Sequence, residues 1–140
     1  MQQTPPKAPR LKAAPPAFQF YAADFVGATV AFSPEEVGAY IRLLSHQWTS
    51  GGPLPASSAK LARICGVAAD RFESMWAETL AEKFQQHDGL VWNARLEHVR
   101  AEQAAYAERQ RLAGLASGAA RRKKTGIEPK VVSISGRAQA

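Results

Sequence analysis

The sequence contains a single cysteine, Cys65, and no long run of apolar residues. One cysteine cannot form a disulfide within the chain, so the composition is typical of a protein from a reducing compartment. No stretch of about 18 or more apolar residues is present, which excludes a membrane-spanning helix. The first residues also lack the apolar core of a secretory signal peptide. We therefore expect a cytoplasmic protein with no membrane partner.

Motifs for catalysis and for metal binding are missing as well. Cys65 and the three histidines fall in different predicted elements and share no ligand spacing such as C-x-x-C or H-x-x-x-H. Neither a G-x-S-x-G motif nor a phosphate-binding glycine loop occurs. We predict a non-enzymatic protein without catalytic residues, metal or cofactor. The three histidines are His46, His87 and His98.

Positive charge is scarce in the middle of the chain and concentrated at its two ends. The net charge is +6 at pH 7 and the pI is near 9.8. Residues 1–16 contain three Lys or Arg and no acid, and residues 117–140 contain six against one Glu. Residues 17–116 carry nine Lys or Arg and eleven Asp or Glu, a net of −2. The high pI therefore describes two basic arms on a nearly neutral body.

The two ends also differ from the middle in composition. Five of the nine prolines fall in residues 1–16, which have almost no large apolar residues to bury, so this arm is expected to be disordered. Residues 117–140 mix Gly, Ala and Ser with basic residues and are expected to form a flexible basic tail. The folded domain is predicted to span residues 17–116.

A strong helix start lies at residues 33–36, Ser-Pro-Glu-Glu. The Ser33 side chain can cap the helix, the following proline loses no hydrogen bond at the first helical position, and Glu36 completes a capping box. The helix is predicted to continue to about Trp48, before residues 51–53, Gly-Gly-Pro, end it. Its apolar residues recur at three- and four-residue steps and form one core-facing stripe, made of Val37, Tyr40, Ile41, Leu44 and Trp48.

Two further helices are predicted over Ser57–Cys65 and Ala69–Phe84. The turn between them contains Gly66, which suits a helix end because glycine adopts positive φ without strain. The second of these helices has a large apolar residue at every fourth position, namely Phe72, Trp76, Leu80 and Phe84. Two helices joined by a short, glycine-containing turn form a helix-turn-helix pattern.

Asp88-Gly89 lies between two runs that are compatible with β-strands. This pair strongly predicts a hairpin, because a type I′ turn needs positive φ at both central residues. A long polar helix is predicted to follow, from Ala94 to Ala116. Ahead of the first helix, Phe18, Phe20 and Tyr21 indicate either a short strand or an aromatic plug. The order of elements predicts a mainly α, winged-helix-like fold with a β-hairpin wing and a long C-terminal helix.

Several segments resemble one known family. Phe20-Tyr21, Asp24-Phe25 and the segment from Ser33 to Leu44, followed by Trp48, resemble the opening of the YdaU-like domain, a prophage domain of unknown function. The resemblance covers about residues 18–124 and continues through Leu54-Pro55, Leu61-Ala62, Phe84, Asp88-Gly89-Leu90, Asn93, Arg95 and Leu96. It implies a winged-helix-like domain similar to the N-terminal part of phage replisome organisers and replication initiators. Such proteins bind an origin and help to recruit the replicative helicase.

On this interpretation the protein binds DNA through three regions. Lys60 and Arg63 on the second helix would meet phosphates, and Arg71 near the start of the third helix could read a base edge. The wing and the tail supply the other candidates, which are Lys83, Gln85, Gln86, Arg121, Arg122, Lys123 and Lys124. The third helix has a net charge of −2, which opposes contact with phosphates. We therefore expect the tail to supply affinity and the helix-turn-helix and wing to supply any sequence preference, in prophage DNA replication initiation.

Two other functions fit the same sequence. Because its third helix is acidic, the protein could be an adaptor that recruits a helicase or another replication factor without reading DNA. A small transcriptional regulator is the other alternative. The long helix also carries a thin heptad through which two copies could form a homodimer. Its members are Leu96, Val99, Gln103, Tyr106, Gln110 and Ala113.

Overall fold

The computed structural model describes residues 16–126. In chain order the elements are α1 (Ala22–Ala28), α2 (Pro34–Ser50), β1 (Leu54–Pro55), α3 (Ser58–Cys65), α4 (Ala69–Glu78), a 3₁₀ turn (Leu80–Lys83), β2 (Gln85–His87), β3 (Leu90–Trp92) and α5 (Ala94–Thr125). The predicted disorder of residues 1–15 and the part of the predicted tail after Gly126 lie outside the described residues. Within the described range the fold is mainly helical with one small sheet, as the sequence predicted.

The three strands form one antiparallel sheet with β3 in the centre. β2 and β3 are the predicted hairpin, and the turn residues Asp88 and Gly89 have φ values of 50° and 71°, the left-handed conformation that a type I′ turn requires. The sequence did not predict β1, which pairs Leu54 with Val91 on β3. A two-residue strand that ends in proline carries no local pattern, so only its pairing with β3 defines it.

The capping box predicted for α2 and the Gly66 end predicted for α3 are confirmed. The Glu36 N–H donates to Ser33 Oγ at 3.2 Å, and the Ser33 N–H donates to Glu36 Oε2 at 2.8 Å, which is the reciprocal capping box. Ser57 caps α3 by accepting a hydrogen bond from the Lys60 N–H. α3 ends at Gly66, whose φ of 73° is left-handed, and the chain then turns directly into α4.

The prediction of one continuous third helix to Phe84 is wrong. α4 ends at Glu78, and the next residues form the 3₁₀ turn. The Thr79 hydroxyl donates to the Met75 carbonyl, which satisfies one carbonyl of the last helical turn. Phe84 then adopts extended dihedrals (φ −127°, ψ 147°) and leads into β2. The break allows Leu80 and Phe84 both to stay buried while the chain changes from helix to strand.

The aromatic segment before α2 is a helix and its flanks, and the strand alternative is wrong. α1 covers Ala22–Ala28, and Thr29 follows it with its hydroxyl donating to the Phe25 carbonyl. Phe18 packs against Trp48 with ring centroids 5.2 Å apart, and Phe25 stacks on Tyr40 at 5.7 Å. These rings cover one side of α2, which agrees with the aromatic-plug alternative.

α5 does not end at Ala116, as the sequence predicted, but continues to Thr125. The first part of the predicted flexible tail is therefore helical. Ala, Arg and Lys have high helix propensity, and they outweigh the cost of about 1 kcal/mol for each of two glycines, Gly114 and Gly118. The chain divides into two compact units within α5, one ending at Gln103 and one beginning at Ala104.

The core of the first unit lies between α2, α3, α4 and the central strand. Leu43, Phe72, Met75 and Leu80 are each at most 1% exposed. They come from α2, α4 and the 3₁₀ turn. The same cluster includes Leu61 of α3 and Val91 of β3, so the helix-turn-helix and the wing share one apolar centre.

A buried polar network joins α2 to the start of α5. The Gln47 side chain is completely buried and accepts a hydrogen bond from the Asn93 N–H at 2.8 Å. Its amide group donates to the Asn93 carbonyl at 3.2 Å and to Glu97 Oε1 at 2.8 Å. Asn93 Oδ1 in turn accepts from the Leu96 N–H and caps α5. Gln47 therefore sets where α5 begins relative to α2.

Arg100 extends this network although it is only 3% exposed. Its guanidinium donates to Glu97 at 3.1 Å and to the main-chain carbonyls of Gln47 and Trp48 at 2.9 and 3.2 Å. It also lies over the Trp48 ring, 4.5 Å from the centroid. Burying this charge is tolerated because its carboxylate partner and two carbonyls replace water.

Replacing Gln47 with leucine tests the network. We expect Gln47→Leu to lower the free energy of unfolding by about 3 kcal/mol, because the buried Asn93 N–H would lose its partner and the Glu97 carboxylate would lose a hydrogen-bond donor. Urea unfolding followed by circular dichroism measures this change. Gln110→Leu, at an exposed position of α5, is the matched control and should change it by less than about 0.5 kcal/mol. Equal stability of the two variants would contradict the prediction.

Candidate nucleic-acid interface

The predicted reading helix, α4, presents an acidic surface. Asp70, Glu73 and Glu78 are exposed, and Glu82 follows on the 3₁₀ turn. Arg71 is the basic residue of α4, and its guanidinium donates to Glu35 Oε2 on α2 through Nε at 3.0 Å and Nη2 at 2.8 Å. This hydrogen bond holds the pKa of the Glu35 carboxyl below its usual range, so the pair is charged on both sides at neutral pH. Arg71 is therefore partly neutralised where the sequence expected it to read a base.

Lys60 and Arg63 lie on the exposed side of α3. Among the residues that the structure describes, neither forms an ion pair with an acid. Neither side chain is therefore neutralised by an acid in this part of the chain, and their contact with phosphates stays a prediction. α3 itself contains no acidic residue.

The wing residues fall into two environments. Lys83 is half-buried, with its Nζ 3.6 Å from the Glu82 carboxylate and 5.6 Å from the centre of the Phe32 ring. Gln85 and Gln86 are exposed on β2, which is an edge strand of the sheet. Among residues 16–126 no partner occupies the two glutamine side chains, so they can hydrogen-bond to a ligand, whereas Lys83 is largely engaged within the protein.

The second unit carries a concentrated positive charge. Between Ala104 and Gly126 there are six Lys or Arg and one Glu, a net of +5. Glu108 is paired with Arg111 at 2.7 Å. The four consecutive cations at the end of α5 are all exposed, and they are Arg121, Arg122, Lys123 and Lys124. Successive helical residues differ by about 100°, so these four charges surround the helix and do not share one face.

Two arginines in the first turns of α5 do not add to a basic surface. Arg95 forms an ion pair with Asp24 and lies 5.6 Å from the Tyr21 ring centre. Arg100 is buried beside Glu97 and Trp48. The position of Arg100 one turn after Leu96, on the inward side of the helix, is the only sequence signal for this burial.

The heptad predicted to pair two copies is not free along its whole length. Leu96 and Val99 are 4% and 7% exposed and belong to the core of the first unit. Gln103 accepts a hydrogen bond from the Gln19 N–H and donates to the Ala17 carbonyl, both at 3.2 Å. The remaining members are exposed, and they are Tyr106, Gln110 and Ala113. A homodimer through α5 would rest on these residues.

The histidines, the residue type most often used for catalysis or metal binding, do not form a cluster in the described part of the chain, and two of them lie next to acids. His87 is 3.1 Å from the Asp88 carboxylate, and His98 is 3.2 Å from Glu102. Within residues 16–126 no three His, Cys, Asp or Glu side chains converge as metal ligands would. In the same range no helix has both the length and the apolar character needed to span a membrane.

The architecture defines a winged-helix-like domain, with a helix-turn-helix followed by a β-hairpin. Residues 16–102 match the family model described as "Protein of unknown function (DUF1376)", and the chain belongs to this family. It is 33% identical over 119 residues to the uncharacterized protein YdaU of Escherichia coli strain K12. The match covers 81% of this chain and 39% of YdaU, so the chain spans well under half of that relative. No solved structure matches the chain. The YdaU-like resemblance is confirmed.

Cys65 is placed for packing. It is 6% exposed, and its Sγ donates to the Ala39 carbonyl at 3.7 Å. Burial raises the pKa of the Cys65 thiol to about 11, an effect that the nearby Arg42 charge only partly opposes. The reactive thiolate is therefore rare at neutral pH.

Alkylation of Cys65 provides a test, since all labelling of the chain reports on this one thiol. We expect iodoacetamide at pH 8 to react with the folded protein about 100-fold more slowly than with the urea-unfolded chain, because the raised pKa suppresses the thiolate. Mass spectrometry gives the alkylation rate in each state. Equal rates in the two states would show that the thiol is accessible and reactive.

The same pKa shift makes stability depend on pH. A thiol whose pKa is raised on folding stabilises the fold below the unfolded pKa, and this contribution is lost as the pH rises from about 9 towards about 11.

Proposed function

We propose that this protein is a non-enzymatic nucleic-acid-binding protein and that the basic end of α5 supplies most of its affinity. The observation that carries the proposal is the charge of α5. Residues 109–127 contain six Lys or Arg and no acid, and the last four are consecutive, exposed and helical as far as Lys124. No acidic side chain is paired with these four residues within the described part of the chain.

The physical basis is the release of counterions from the phosphate backbone. Each phosphate that a cation neutralises contributes about −0.9 to the slope of log K against log salt. Because the four cations surround the helix, they cannot all face one duplex. We therefore expect about three of them to contact phosphates at once. Affinity should then fall by roughly one and a half decades between about 50 and 200 mM salt. Such binding does not depend on base sequence.

The acidic surface of α4 determines where sequence preference could arise. A helix that carries exposed Asp70, Glu73 and Glu78 is repelled by the phosphates that line a major groove. Any preference is better assigned to α3 and to the exposed glutamines of β2. The predicted base contact through Arg71 would require Arg71 to leave Glu35.

The biological process we propose is prophage DNA replication initiation, with transcriptional regulation as the second candidate. The support is the similarity to the N-terminal part of phage replisome organisers that the YdaU-like resemblance implies. A replicative helicase or another replication protein is the partner class that this process implies.

A protein adaptor is the alternative function, and the acidic α4 surface favours it. Its carboxylates could meet a basic partner without any contact to DNA. The adaptor and the DNA-binding protein differ in one measurable property, because only the second binds DNA with a strong dependence on salt.

Neutralising the basic end of α5 tests the proposed function. We expect the quadruple variant R121Q/R122Q/K123Q/K124Q to bind a 20-base-pair duplex at least about tenfold more weakly than the wild type at about 50 mM NaCl. Its salt slope should be shallower by about two to three units. Fluorescence anisotropy on the duplex and on one of its single strands measures both quantities.

The matched control exchanges the same residues without changing their charge. The variant R121K/R122K/K123R/K124R should bind within about twofold of the wild type, since the contacts are electrostatic. If the wild type binds neither probe at about 50 mM NaCl, the DNA-binding proposal fails and the adaptor takes its place. If the quadruple glutamine variant keeps full affinity, the assignment to α5 fails.

A further inference from the structure

A groove outside the predicted DNA-binding residues lies between α2 and α3. Its volume is about 370 Å³, and it is open to solvent. No acidic side chain lines it. The lining residues are Ile41, Arg42, Ser45, His46, Thr49 and Ile64.

The sequence around the groove lacks acids over an unusually long range. Between Glu36 and Asp70 there is no Asp or Glu, whereas Arg42, Lys60 and Arg63 provide three positive charges. This range includes almost all of α2 and the whole of α3. The α2/α3 pair therefore forms a basic side of the molecule, and α4 forms an acidic side.

Arg42 is held in a fixed position at this groove. Its Nη1 donates to the carbonyl of Cys65, the last residue of α3, at 3.2 Å. A Cβ at Gly66 would lie 2.4 Å from the same nitrogen, so the glycine makes room for the guanidinium as well as ending the helix. The other N–H groups of Arg42 donate to no residue in the described part of the chain. They remain exposed and preorganised for an anion.

The other lining groups complete a surface that suits a phosphodiester. The His46 side chain is exposed and can donate an N–H to a phosphate oxygen. The Ser45 and Thr49 hydroxyls donate to carbonyls of α2, so they make the groove polar without adding charge. Lys60 lies one helical turn before the lining residue Ile64 and therefore on the same face of α3.

We infer that the α2/α3 groove binds the phosphodiester backbone of a nucleic acid, with Arg42 as its fixed cation. This inference rests on the proposed function and adds a second binding surface to it, on α2 and α3 and not on α4, the helix that a winged-helix fold would suggest. The chemistry of this surface favours a phosphate ligand, because it offers cations and neutral polar groups without a competing carboxylate.

Placing a negative charge in the groove tests the inference without disturbing Arg42. Thr49→Glu should weaken binding of the 20-base-pair duplex about fivefold at about 50 mM NaCl, because the new carboxylate faces the phosphates. Thr49→Gln introduces a side chain of nearly the same shape as Glu but without charge, so it separates the effect of charge from that of shape and should bind at least about threefold more tightly than Thr49→Glu. Glu73→Gln, on the acidic α4, should not weaken binding. Thermal unfolding of each variant checks that the fold is intact.

Two further arms separate this inference from the proposed function. Arg42→Gln should reduce the salt slope by about one unit, both in the wild type and in the R121Q/R122Q/K123Q/K124Q background. Inorganic phosphate at about 10 mM should compete only weakly if several phosphates of one strand are bound, and full competition would point to a free-phosphate site and overturn the inference.

The outcomes are distinct. If the wild type binds DNA and Thr49→Glu equals Thr49→Gln with an unchanged salt slope, the groove does not bind the backbone and the inference is overturned, while the proposed function stands. If Thr49→Glu weakens binding and the α5 variant does not, the groove is supported and the α5 assignment fails. If no variant or wild type binds DNA, both fail.

Discussion

The buried amide of Gln47 is the interaction on which the arrangement of the first unit depends. It satisfies both main-chain groups of Asn93, the residue between β3 and α5. The Asn93 side chain also donates to the Lys83 carbonyl at 2.8 Å and to the Tyr40 hydroxyl at 3.3 Å. One short polar cluster therefore joins α2, the 3₁₀ turn, the central strand and the start of α5. Apolar packing alone would allow these elements to shift relative to one another. Buried amides can satisfy their hydrogen bonds in only one relative position, so they fix the arrangement.

This constraint also determines which charges can reach a ligand. The network keeps the charges of Glu97 and Arg100 paired inside the first unit. The first turns of α5 therefore present less positive surface than the sequence suggests. The charge of Arg71 is likewise partly neutralised by its ion pair with Glu35. The cations that remain exposed and without an acidic partner in the described residues fall at the end of α5 and on the α2/α3 side. A net charge for the whole chain conceals this division, because most of the acids lie on α4 or in ion pairs.

Local signals in the sequence predicted local structure well. The Ser33 capping box, the Gly66 helix end and the Asp88-Gly89 turn each depend on residues close together in the chain, and each is confirmed. The break in the third helix and the strand β1 depend on contacts between distant segments, so no periodicity reveals them. The same limit applies to the candidate site. In the sequence, Arg71, Arg95 and Arg100 are simply cations. Only the fold shows that each of them forms an ion pair with a carboxylate.

A surface that binds mainly through phosphates must obtain its specificity elsewhere. Contacts from Arg42 or from the α5 cations would bind any duplex nearly equally, because every sequence presents the same backbone. The acidic α4 makes direct reading of the major groove unfavourable, which leaves two sources of selectivity, the edge glutamines of β2 or a partner protein docked on α4. The second source would use the acidic side for protein and the basic side for DNA at the same time. On the proposed function, DNA binding by the basic side and partner recruitment by the acidic α4 would be compatible, because they would use different surfaces of the same unit.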